Sequence, residues 1–136
     1  MAVPMRILDL APALAAAFLL GVAPKFAFGE TSSASPRPIA PCFTVHGRLS
    51  VANGNPSFRI WPIGSRRILG VWEGEDDLPM SKRFPARIVE LFGSNPGAVD
   101  VFGDSRVCPL TRRRVGHMQI VTVRSASSAI ARPSGN

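Results

Sequence analysis

Cys42-Phe43-Thr44-Val45-His46-Gly47-Arg48-Leu49-Ser50-Val51 is the stretch that decides the fold class of this chain. Phe43, Val45, Gly47, Leu49 and Val51 alternate with Thr44, His46, Arg48 and Ser50, a period of two over nine residues. Only an extended backbone places every second side chain on one face, so the segment predicts a strand with an apolar inner side. Ala52-Asn53-Gly54-Asn55-Pro56 ends it. Asn-Gly favours positive φ, and Pro has no N–H to offer a ladder, so a turn follows. Ser57 to Trp61 and Arg67 to Trp72 are short β-rich runs around a turn at Pro62 to Ser65, and with the first strand they predict an antiparallel meander.

Further along, Gly74-Glu75-Asp76-Asp77-Leu78-Pro79 reads as a polar loop. Pro85 to Phe92 (PARIVELF) predicts a short helix, with Pro at its start and Gly93 just past its end, while β-branched Ile88 and Val89 leave a strand as the alternative. Ser94-Asn95-Pro96-Gly97 is a turn. Ala98 to Phe102, Ser105 to Leu110 and His117 to Arg124 are further strand candidates, and Arg132 to Asn136 reads as a frayed tail. The expected fold is mainly β: a small antiparallel sandwich or partly open barrel of about six strands, with one short helix near 85–92.

Upstream of Cys42 the composition changes. Thr31 to Pro41 (TSSASPRPIAP) has too little apolar content to pack and reads as an extended Ser/Pro-rich spacer. Before it, Arg6 precedes an apolar run from Ala11 to Ala23, closed by Pro24 and Lys25. Thirteen residues rise about 20 Å as a helix, short of the roughly 30 Å of a bilayer core. A basic start, a short apolar stretch and then small residues form the pattern of a secretory signal peptide, with cleavage expected after Ala27-Phe28-Gly29 or, as a second site, after Ser32-Ser33-Ala34. An uncleaved N-terminal anchor is the alternative. No cysteine ends the run and no twin arginine precedes it, which favours the general secretion route. The expected organisation is a signal peptide at 1–29, a linker at 30–41, one domain at 42–131 and a tail at 132–136. The mature form would have no stable transmembrane span and would reside in the periplasm or outside the cell.

Length and charge narrow the function classes. The 136 residues, 46% apolar and 18% charged, exclude a multidomain enzyme and suit one domain. Without residues 1–29, 107 residues remain, with 14 Lys plus Arg against 8 Asp plus Glu. Thirteen of those fourteen bases are Arg. A net charge of +6 implies attraction to an anionic partner, such as envelope glycolipid phosphate, an acidic polysaccharide or an acidic protein. Export disfavours nucleic acid as the natural partner. Nothing in the sequence sets the oligomeric state or calls for a cofactor.

No strong catalytic, nucleotide or metal motif is present. Cys42 and Cys108, 66 positions apart, allow one pairing, and export favours a disulfide. A zinc site joining Cys42-x3-His46 to Cys108-x8-His117 matches none of the usual spacings, and unpaired thiols are the third reading. His46 near Ser50, and His117 with Asp104, are weak catalytic candidates, since a hydrolase needs nucleophile, base and orienting acid within hydrogen-bond reach. The nearest string to a nucleophile elbow, Gly64-Ser65-Arg66, lacks a strand-to-helix setting. Glu73, Glu75, Asp76 and Asp77 lack the alternation a calcium loop requires and read as a solvated loop. Arg112-Arg113-Arg114 can hold phosphate or carboxylate bidentately. Arg59 and Trp61 share the outer face of their strand if Phe58 and Ile60 face inward, an arrangement suited to stacking on sugars or bases.

Val45-His46-Gly47-Arg48, Asn53-Gly54-Asn55-Pro56, Arg59-Ile60-Trp61, Phe102-Gly103-Asp104, Val107-Cys108-Pro109 and Gly116-His117-Met118-Gln119 together resemble motifs of small secreted bacterial proteins, over about Cys42 to Ser125. The resemblance implies export and a single domain, and it brings no established activity or functional residue. The leading expectation is an exported, non-enzymatic, basic binding or structural domain of the periplasm or cell envelope. A small hydrolase using His117 with Asp104, or His46, is one alternative. An accessory or inhibitor module docking through Trp61 or the triple-Arg turn is the other.

Overall fold

The computed structural model describes residues 36–74 and 78–135. The expected signal peptide, its cleavage sites, the linker as far as residue 35, and Glu75 to Asp77 lie outside the described residues. Five strands form: β1 (Phe43–Val51), β2 (Phe58–Pro62), β3 (Leu69–Val71), β4 (Val99–Pro109) and β5 (Gln119–Pro133). Two short helices, α1 (Met80–Arg83) and α2 (Ala86–Phe92), and a 3-10 turn at Pro96–Ala98 lie between β3 and β4. No helix among the described residues is long and apolar enough to cross a membrane.

The expected meander is present, with β1, β2 and β3 neighbouring and antiparallel. The strands run in the order β1-β2-β3-β5-β4, and β4 pairs back onto β1, so the sheet closes in an irregular ring. Every neighbour is antiparallel except β3 and β5. That exception is forced, because an odd-numbered ring cannot alternate direction all the way round.

There are five strands rather than about six. Ala98–Phe102 and Ser105–Leu110 are one strand, since Gly103 and Asp104 continue the ladder opposite Gly47 and His46 of β1. The strand expected to end at Arg124 continues to Pro133, with Asp100 opposite Arg132 and Val99 opposite Pro133, so the tail begins later than residue 132. Conversely, Arg67–Trp72 contributes only Leu69–Val71. Helix α2 matches the expected helix, and α1 forms over Met80–Arg83, for which the sequence makes no prediction.

Burial follows the strand period. Leu49, Ile60, Leu69, Val71, Val107 and Val121 fill the ring and are all but inaccessible to solvent. Ile88 and Phe92, one helical turn apart on α2, are buried as well. Phe92 meets Phe84 and Phe58, the first residue of β2, edge to face at centroid separations of 6.1 Å and 5.6 Å, so α2 closes the end of the ring where β2 starts. Phe58 and Ile60 face inward, and Trp61 lies on the outside.

Two glycines let β1 and β4 curve. Gly47 and Gly103 are directly opposite each other. A Cβ on Gly47 would stand 2.8 Å from the Trp61 carbonyl oxygen, and one on Gly103 would stand 2.8 Å from the Ala129 Cα. Next to Gly103 the β4–β5 register shifts, with Ser128 at φ 49°, which gives the bulge that a sharply curved pair of strands needs.

Candidate functional site

The parallel pairing of β3 with β5 sets Leu69 opposite Gln119 at the starts of both strands. The chain preceding each start is therefore brought to the same end of the ring, opposite α2. One such segment is the turn after β2, carrying Arg66 and Arg67. The other is the β4–β5 loop, carrying the triple-Arg turn and His117.

Between them lies a cavity of about 550 Å³ lined by Arg66, Arg67, Arg113, Arg114 and His117, with Ile68 and Met118 supplying apolar wall. Among the described residues no carboxylate lines it. Arg112 is exposed and stands outside the lining.

Buried Gln119 holds the base of this site. Its side-chain oxygen accepts from Arg67 Nη2, and its Nε2 donates to the Thr111 carbonyl at 2.8 Å. The Thr111 hydroxyl accepts from the Ile120 N–H at 2.9 Å. On the other side the Ser65 hydroxyl accepts from the Arg67 N–H at 3.2 Å and donates to the Pro62 carbonyl at 3.1 Å. The Arg67 guanidinium lies 5.4 Å from the Phe43 ring centroid, and its Nε is buried without a protein partner. Burial, and secondarily the charge of Arg113, lower the Arg67 pKa from its ordinary value.

The other residues singled out from sequence occupy different places. Arg59 donates to the Pro56 carbonyl at 3.1 Å and to the Asn53 carbonyl at 2.7 Å, bracing the β1–β2 turn. Trp61, 37% exposed, is covered by Arg48 at 5.3 Å from its ring centroid. Asp104 pairs with His46, directly across β1–β4, with Nδ1 to Oδ1 at 2.8 Å. His117 lines the cationic cavity instead of meeting Asp104. His46 is thus oriented by an acid, though both side chains are substantially exposed.

Glu73, read from sequence as part of a solvated acidic loop, is instead a cap for β2. One of its carboxylate oxygens accepts from the Ser57 N–H at 2.8 Å, the Phe58 N–H at 3.0 Å and the Ser57 hydroxyl. Cys42 and Cys108 are joined as a disulfide, which removes both thiols from any metal reading. Among the described residues no group of three or more His, Cys, Asp or Glu side chains gathers in the way a metal ion requires.

The sequence points to the triple-Arg turn and His117, and it marks Arg66 and Arg67 as part of a stretch that interleaves Arg with aromatics, but it does not join them to that turn or point to Gln119. Their signal is spatial, because 46 positions separate Arg67 from Arg113. Comparison with protein-family models, curated proteins and solved structures gives no match to this chain.

Proposed function

We propose that this protein is an exported, non-enzymatic binding domain of the bacterial periplasm or cell envelope, and that its ligand is an anionic envelope component bound at the Arg66/Arg67/Arg113/Arg114/His117 cavity. The observation that carries this reading is the gathering of four arginines and a histidine around one cavity, with no Asp or Glu among the described residues that line it. Guanidinium forks match phosphate and carboxylate oxygens two at a time, so such a cluster favours multiply charged groups over single charges. Fold architecture supports a binding role by analogy: OB-folds, which are five-stranded Greek-key barrels, bind oligosaccharides and oligonucleotides partly through the loop between strands 4 and 5. Here that loop carries Arg113, Arg114 and His117.

Titration of the full chain with inorganic pyrophosphate, at constant ionic strength set with chloride, tests the reading. Saturable binding that raises the melting temperature is expected, because a ligand bound only by the folded state stabilises it. No binding even at low ionic strength would sink it.

The hydrolase alternative keeps one observation in its favour, the His46 Nδ1 to Asp104 Oδ1 hydrogen bond. Turnover of ester or phosphoester substrates that disappears in His46→Ala would establish it. Indifference of any such turnover to His46→Ala would remove it.

A further inference from the structure

The three most exposed large apolar side chains among the described residues are Val115 at 102%, Ile63 at 59% and Ile39 at 54%. All three belong to segments at the cationic end of the ring. Val115 is in the β4–β5 loop, directly after Arg113-Arg114. Ile63 follows the end of β2, its N–H donating to the His46 carbonyl at 3.0 Å. Ile39 lies beside the end of β4, its N–H donating to the Pro109 carbonyl at 2.9 Å. Residues 36–38 therefore join the domain at this end.

The described carboxylates are unevenly placed along the same axis, whereas basic residues occur at both ends, Lys82, Arg83 and Arg87 on the helices among them. Arg37, Arg66, Arg112, Arg113 and Arg114 are exposed at the cationic end. The described carboxylates lie elsewhere. Glu73 caps the start of β2, Glu90 is on α2, Asp100 is near the start of β4, and Asp104 is half-way along that strand.

Exposed aliphatic tips on loops rich in Arg, at an end with no carboxylate among the described residues, have the composition of a surface that sits in a membrane interface. The aliphatic groups enter the headgroup boundary while the guanidinium groups meet lipid phosphate. We propose that this end of the ring docks on an anionic phospholipid surface, with Ile39, Ile63 and Val115 entering the interface and a lipid phosphate seated in the Arg cavity. The proposal rests on the anion-binding reading for the cavity and adds to it the partner and the orientation of the domain.

The test is sedimentation of the full chain with vesicles of phosphatidylglycerol and phosphatidylcholine, and with vesicles of phosphatidylcholine alone, alongside the pyrophosphate titration. Tighter binding to the anionic vesicles than to phosphatidylcholine alone is expected, because the apolar run Ala11 to Ala23 contributes equally to both. Ile39→Ser with Ile63→Ser should weaken vesicle binding about tenfold or more, since each removes apolar area otherwise buried in the interface. The same double variant should bind pyrophosphate unchanged. Val115→Ser should weaken vesicle binding independently. Arg113→Glu with Arg114→Glu should abolish both. Pyrophosphate binding without vesicle binding, or vesicle binding indifferent to all three aliphatic changes, would overturn the docking proposal while leaving the anion site intact. Loss of both binding activities in the unaltered chain would overturn the two together.

Discussion

Leu69 opens β3 directly opposite Gln119, which opens β5, and from that pairing the two strands run in the same direction. In a ring of five, one parallel contact is unavoidable, and its position decides which loops share an end. Here it brings the turn bearing Arg66 and Arg67 next to the loop bearing Arg113 and Arg114. Gln119 then ties the two together through Arg67 and the Thr111 carbonyl.

Replacing Gln119 by Leu should cost about 1–3 kcal/mol, because a partly buried guanidinium and a carbonyl each lose a partner. Urea unfolding followed by Trp fluorescence measures the loss. Pyrophosphate affinity should fall in parallel, since Arg67 is no longer held at the cavity. Unchanged stability would show that Arg67 finds an equivalent acceptor.

Arg113→Ala and Arg66→Ala should each weaken pyrophosphate binding roughly tenfold, the scale of one charge-assisted hydrogen bond of about 1.5 kcal/mol. Neither should lower the melting temperature of the free protein, because both remove a cation from a crowded cationic cluster. Arg59→Ala is the contrasting control: it braces the β1–β2 turn, so stability should fall and anion affinity should not. Calorimetric titration and thermal melts separate the two effects.

Gly103→Ala should destabilise the domain by about 1–3 kcal/mol, because the added methyl meets the Ala129 backbone, which has no room to retreat. Gly47→Ala should behave similarly against the Trp61 carbonyl. Denaturant midpoints measured on both variants check this. A change under about 0.5 kcal/mol would mean that the β1–β4 corner is looser than its geometry indicates.

The disulfide between Cys42 and Cys108 closes a loop of 66 positions and should contribute about 2–4 kcal/mol by restricting the unfolded chain. Cys42→Ser and Cys108→Ser should therefore lower stability similarly, with the double variant no worse than either single one. Unfolding midpoints with and without reductant test this. Two freely alkylated thiols in protein taken from its native compartment would refute the bridge.

The sequence alone determined the local elements and the class of the fold. The two-residue period of Phe43 to Val51 specifies a strand because alternation is a property of the backbone itself. Pro85 and Gly93 likewise bracket a helix through their own φ preferences. The Cys pairing was legible because two cysteines allow one bond. The triple-Arg turn could be recognised as an anion-binding candidate from its composition. Tertiary structure decided what depends on distant partners. Gly103 continues a strand that reads as interrupted, because β1 supplies Gly47 opposite it. Residues beyond Arg124 extend β5 because β4 is there to pair with them, although their own pattern is polar. Glu73 became a strand cap, and Asp104 met His46 rather than His117, through register between strands. Arg66 and Arg67 joined Arg113 and Arg114 because the one parallel contact that a five-strand ring requires falls between β3 and β5. A single sequence carries the hydrogen-bonding potential of each strand but not the identity of its neighbour, and the cavity is made by neighbours.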